Sequence, residues 1–157
     1  MRLSTLILVA SFAAGSAYAN PVAPADVVFT EDGAVEMSLT GAPGNPEAGF
    51  DVFSNKKKGN CIACHNIEAR TDLNFPGNVG PVLDGVGENR TTAELRGILA
   101  NSKMTFEGTV MPAYFKVDGF TRPGNAYTGK APDGPLDPLL SAAQIEDVIA
   151  FLATLKE

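Results

Sequence analysis

Cys61-Ile62-Ala63-Cys64-His65 contains both cysteines and the only histidine of this 157-residue chain. A Cys-x-x-Cys-His stretch is the pattern of c-type haem attachment. Two intervening residues let one helical turn present both sulfurs to one edge of a porphyrin. Each thiol adds across a vinyl group to form a thioether, and the next residue offers an imidazole to the iron. Competing readings of a Cys-x-x-Cys pair fit less well. A structural zinc site takes four Cys or His ligands, and the chain has three such residues in all. A thioredoxin-like pair belongs in a βαβ context, which this sequence lacks.

Upstream, Arg2 is followed by the apolar run Leu3 to Ala14 and by Ala17-Tyr18-Ala19. A basic start, a short apolar stretch and a small-x-small site predict a secretory signal peptide, cleaved after Ala19. The apolar run is shorter than the ~20 residues a spanning helix needs, so no membrane anchor is expected. Export agrees with the motif, because haem is attached to such proteins outside the cytoplasm, and the expected location is the periplasm. With both sulfurs in thioethers, no disulfide is expected despite the oxidising compartment. The expected organisation is a signal peptide (1–19), an N-terminal arm (20–44) and one haem domain (45–157).

The chain carries 12 basic and 18 acidic residues, a formal charge of −6. Removing Arg2 makes it one unit more negative. An acidic surface argues against a nucleic-acid partner and favours soluble partners with a basic face. There is no Trp. A buried haem would supply apolar surface that so small a core otherwise lacks.

The helical signals are local. Asn45-Pro46-Glu47 combines an N-cap, a first-turn proline and an acid at the positive helix end. Gly49 and Phe53 then share one face, and Lys56-Lys57-Lys58 and Gly59 are expected to close the helix. Thr91 with Glu94, and Ser141 with Gln144, predict capping boxes for two further helices. Leu95, Ile98 and Leu99 form the apolar face of the first. Ile145, Val148, Ile149, Leu152 and Leu155 form that of the second. Residues 20–44 suggest a partly extended arm, with an unstructured leader as the alternative. Residues 66–90 and 101–139 are rich in Gly and Pro and are expected to be loops. The expected class is all-α with long loops.

An electron-carrying haem needs a second axial ligand, and with no second histidine methionine is the choice. Met1 falls in the signal and Met37 in the arm. Met104 and Met111 remain. Met111 is the better candidate because it sits in a loop and Pro112 stiffens the chain just after it.

These pieces, in this order, resemble the class I cytochromes c. The resemblance covers Gly49 and Phe53, Cys61 to His65, Gly80-Pro81-Val82-Leu83-Asp84-Gly85, Val110-Met111-Pro112 and the last helix with Phe151. It implies a small helical domain around one covalent haem c with His65 and Met111 as axial ligands. It further implies that the Pro81 carbonyl accepts a hydrogen bond from His65. Phe75 to Pro81, Met111 to Phe115 and Ile145 to Leu155 are most similar to the SoxX subunits of the SoxAX thiosulfate-oxidising cytochromes.

That similarity implies an electron-transfer subunit, not catalytic alone, of an L-cysteine S-thiosulfotransferase. Such a complex oxidatively links thiosulfate to a carrier-protein cysteine. It also implies a heterodimer with a SoxA-like haem subunit and a downstream acceptor cytochrome. No catalytic residue is expected in this chain, which has no spare cysteine. The alternatives are a free, diffusible electron shuttle and, more remotely, an open-site haem enzyme or gas sensor. Lys56 to Lys58 could steer an acidic partner or form a solvated helix end. Tyr114, Phe115, Phe120 and Tyr127 could line the haem pocket, meet a partner or anchor the long loop.

Overall fold

The computed structural model describes residues 20–124 and 128–156. The expected signal peptide, residues 1–19, and Tyr127 lie outside them. Four α-helices carry the fold: α1 (Pro46–Ser54), α2 (Val86–Asn89), α3 (Thr92–Asn101) and α4 (Ala142–Leu152). Short 3₁₀ turns occur at Pro24–Asp26, Cys61–Ala63 and Ser102–Met104. Among the described residues there is no strand, and no helix is long and apolar enough to cross a membrane.

The helix starts follow the capping signals. The Asn45 side chain accepts from the backbone N–H groups of Glu47 and Ala48. Both capping boxes form, Thr91 with Glu94 and Ser141 with Gln144. The helix ends depart from expectation. α1 stops at Ser54, and Lys56 to Lys58 lie in the turn beyond it. Asn55 is the reason. Its side-chain oxygen accepts from Lys57 N–H at 3.0 Å, a local turn that competes with helix continuation. The supposedly irregular stretch 66–90 also contains the single turn of α2. α4 ends three residues before Leu155, whose N–H bonds the Leu152 carbonyl.

α1 and α4 form the main helix pairing. A Cβ on Gly49 would lie 1.9 Å from the Asp147 carbonyl oxygen, so only glycine permits this backbone approach. Phe151 of α4 packs its ring 5.3 Å from Phe50 and 5.4 Å from Phe53 of α1. Phe53, Ile145 and Val148 are fully enclosed. Burying each such side chain contributes about 1.5–3 kcal/mol.

The arm is packed against the helices. Val35 and Leu39 are core residues, and Val35 N–H bonds the Ala93 carbonyl at 3.0 Å. A buried ion pair ties three pieces together. Arg96 on α3 meets Glu146 on α4 through two hydrogen bonds of 2.7 and 3.1 Å. Arg96 also donates to the Val35 carbonyl, and Glu146 accepts from Leu39 N–H, both at 2.8 Å. Every charge here has hydrogen-bond partners, which a buried ion pair requires if it is not to destabilise the fold. At the other extreme, most of the described part of segment 116–139 is exposed. Its return to the core is fixed by Leu140 N–H bonding the Tyr114 carbonyl at 3.0 Å.

Candidate functional site

The haem motif occupies a tight turn after α1. Asn60 opens it in the left-handed region with φ 50°, a conformation asparagine tolerates better than most residues. Cys64 and His65 N–H groups both return to the Cys61 carbonyl, at 3.1 and 2.9 Å. Both thiols therefore sit on one turn, free of any disulfide.

A second segment runs alongside and holds this turn. Gly77 N–H bonds Ile62 O at 2.7 Å, Gly80 N–H bonds Cys64 O at 2.8 Å, and Leu83 N–H bonds Asn66 O at 2.9 Å. Asp84 extends the ladder, accepting from Glu68 and Ala69 N–H at 2.6 and 2.8 Å. Those bonds, Ala69 first, hold its carboxyl below the ordinary value. The result fixes the imidazole. Pro81 O lies 2.8 Å from His65 Nδ1. A carbonyl can only accept, so Nδ1 carries the proton and Nε2 of the neutral ring keeps its lone pair. Gly80 packs flat on the ring, where a Cβ would lie 2.3 Å from His65 Cε1.

Cys61, Cys64, His65, Pro81 and Met111 all line one cleft of about 1200 Å³, part of it open to solvent. Its other walls are largely apolar, from Phe53, Leu83, Val86, Leu95, Leu99, Val148 and Leu152 among others. Met104 does not line the cleft and is 48% exposed. Met37, in the arm, is exposed as well.

The donor set fits a covalently bound haem. Two thiols, an imidazole with its outer nitrogen proton fixed and one thioether face a common apolar space. Burial pushes the Cys61 thiol up to about 11. At neutral pH it is an uncharged sulfur in an apolar wall, an environment that suits a thioether equally well. Among the described residues there is no group of three or more His, Cys, Asp or Glu side chains that could hold a metal ion.

Tyr114 was open to several roles from sequence. It is buried in the cleft wall and donates to the Gly59 carbonyl at 3.0 Å. Burial, with Cys61 beside it, raises its phenol well above the ordinary value. Phe115 is core, and Phe120 is exposed beneath the Lys116 ammonium. Of the lysine run, Lys58 pairs with Asp51. Two features escaped sequence reasoning. Ser102 hydrogen-bonds the Met111 carbonyl, and Phe75 holds a left-handed φ of 54° with its ring 98% exposed. The first had no motif to announce it. For the second, the adjoining Pro76-Gly77 signalled a turn but not its strain.

Comparison with known proteins gives a consistent result. The family model for cytochrome c matches residues 46–156. No match was found among curated proteins. Among solved structures, a chain in the crystal structure of SoxXA from P. pantotrophus is 60% identical, with a TM-score of 0.83. The match covers 88% of this chain and 100% of that one.

Proposed function

The chain belongs to the cytochrome c family, as a SoxX-like class I cytochrome c, and from that premise we propose that it is the electron-transfer subunit of a thiosulfate-oxidising complex. The carrying observation is its similarity to a chain of SoxXA over nearly all of its length. When bound, the haem supplies reversible one-electron transfer. The chain's residues do the rest. Cys61 and Cys64 anchor the group covalently, and His65 offers Nε2 while Pro81 holds its Nδ1 proton. Met111 would supply a second protein ligand, and a thioether donor favours the reduced iron and raises the potential. The apolar walls exclude water, which protects the redox couple from substrate chemistry at the iron.

In this reading residues 1–19 direct export to the periplasm. The working form is a heterodimer with a SoxA-like haem subunit, and a downstream cytochrome accepts the electron. Both cysteines are committed to haem attachment, so the nucleophile that receives thiosulfate must come from outside this chain.

The test is reconstitution. The purified holoprotein should be redox-active yet unable to couple thiosulfate to a carrier-protein cysteine. Adding a SoxA-like subunit should give a stable complex on size exclusion and restore coupling. Full coupling by the chain alone, or no association with such a subunit, would instead favour a diffusible shuttle.

A further inference from the structure

The loop that carries Met111 hangs from the C-terminal end of α3. A helix leaves its last carbonyls without intrahelical partners. Here the chain after Met111 provides them: Tyr114 N–H bonds Leu99 O and Phe115 N–H bonds Ala100 O, both at 3.1 Å. On the other side of Met111, the Ser102 carbonyl captures Phe106 N–H at 2.9 Å. The loop is thus tied to α3 at both ends. Its middle is held by contacts to the backbone of Met111 itself. Met111 N–H reaches Thr109 Oγ1 at 3.2 Å. Met111 O accepts from Ser102 Oγ at 2.8 Å and from the Lys103 ammonium.

The two donors to that carbonyl are unequal. Lys103 is exposed and must compete with water. Ser102 is 0% exposed. Its hydroxyl also lies 3.5 Å from Pro112 O, but the shorter contact to Met111 O is the better acceptor for its single proton. The Ser102 hydroxyl is sealed from water, so leaving its bond unmade costs more than loosening the solvent-exposed Lys103 contact. Ser102 also stands outside the cleft-lining residues, so it can act only through the loop.

We infer that Ser102 is a positioning residue: by holding the Met111 carbonyl it sets how firmly the Met111 sulfur stays on the iron side of the cleft. This rests on Met111 as the distal ligand. The hydroxyl lies outside the cleft lining and contributes no charge. Its effect is on how readily the loop opens to admit an external ligand.

The experiment is cyanide titration of the oxidised, full-length holoprotein, with unfolding midpoints measured in parallel. Losing one buried hydrogen bond should raise cyanide affinity about fivefold to tenfold in Ser102→Ala. The near-infrared sulfur-to-iron band should weaken or broaden. Ser102→Thr, which keeps the hydroxyl, should return affinity toward wild type, and Lys103→Met should shift it less than Ser102→Ala. In a Met111→Ala background, Ser102→Ala should add nothing to cyanide affinity.

A Ser102→Ala protein with a lower unfolding midpoint but wild-type cyanide affinity and band would overturn the inference, leaving a purely structural serine. Should Ser102→Ala fail to fold, Ser102→Cys, a weaker donor of similar size, must give an intermediate rise in affinity, and an unchanged affinity there counts equally against it. Failure of the underlying reading looks different. In that case Met111→Ala itself would retain the band.

Discussion

The two walls of the cleft are built in different ways. His65 is held by neighbours close in sequence. Gly77, Gly80 and Leu83 bond the turn and its continuation through backbone N–H groups, Pro81 meets the His65 ring through its carbonyl, and Asp84 accepts from Glu68 and Ala69 N–H through its carboxylate. Met111 is held at a distance. Its loop hangs from the end of α3, and α3 is itself fixed by Arg96 to Glu146, fifty residues away, and to the arm. A short-range ladder forms a rigid wall almost irrespective of the rest of the fold. A loop suspended from a helix end is only as firm as the packing of that helix. In the proposed reading, this difference suits a redox site in which one ligand is permanent and the other is held by packing. Local stability varies across a protein in this way, with elements of few local contacts opening first.

Removing Glu146 should break the comparison open. Glu146→Ala leaves Arg96 buried without its partner, a change that costs about 3–5 kcal/mol. Chemical denaturation should show that loss. Hydrogen exchange at Tyr114 and Phe115 amides should rise more than at Gly77, Gly80 and Leu83. Equal acceleration on both walls would mean that they are one cooperative unit.

Gly80→Ala attacks the opposite wall. A methyl 2.3 Å from the His65 ring must push either the ring or the Pro81 carbonyl away, and overpacking of this kind costs about 1–3 kcal/mol. Holoprotein yield and unfolding midpoint should both fall. The exchange pattern should invert, with the Leu83 amide loosened more than the Tyr114 amide.

The smallest effect should come from acid. The Asp84 carboxyl is held below its ordinary value of 3.8, first by Ala69 N–H and then by Glu68 N–H. A depressed carboxyl contributes stability that is present above the unfolded value and lost as pH falls through the folded one. Asp84→Asn should therefore lower stability slightly at neutral pH, flatten the profile below about pH 4 and converge on the unmodified protein in acid. A steeper acid loss in the variant would reverse the sign of the argument for this residue.

What could be read from sequence follows the same division. Capping residues act over three positions, so Asn45, Thr91 with Glu94, and Ser141 with Gln144 marked the helix starts. The haem motif lies within five consecutive residues, and the Gly80-Pro81 loop entered through family resemblance. Helix ends were harder, because Asn55 stops α1 by a side-chain turn while the lysines after it look like a good C-terminus. The arm's packing rests on Arg96 and Glu146, two charged residues that pattern reasoning assigns to the surface. Nothing in a Gly- and Pro-rich stretch distinguishes Ser102 from any other loop serine. Its role depends on α3 and the Met111 loop meeting in space.

The most direct measurement compares near-infrared spectra of the oxidised holoprotein with those of Met111→Ala and Met104→Ala. The unmodified protein should show a sulfur-to-iron band, and Met111→Ala should lose it, lower its potential and bind carbon monoxide when reduced. Met104, outside the cleft, should be replaceable with no change in any of the three. A band that survives Met111→Ala and disappears in Met104→Ala would contradict the placement of the distal wall.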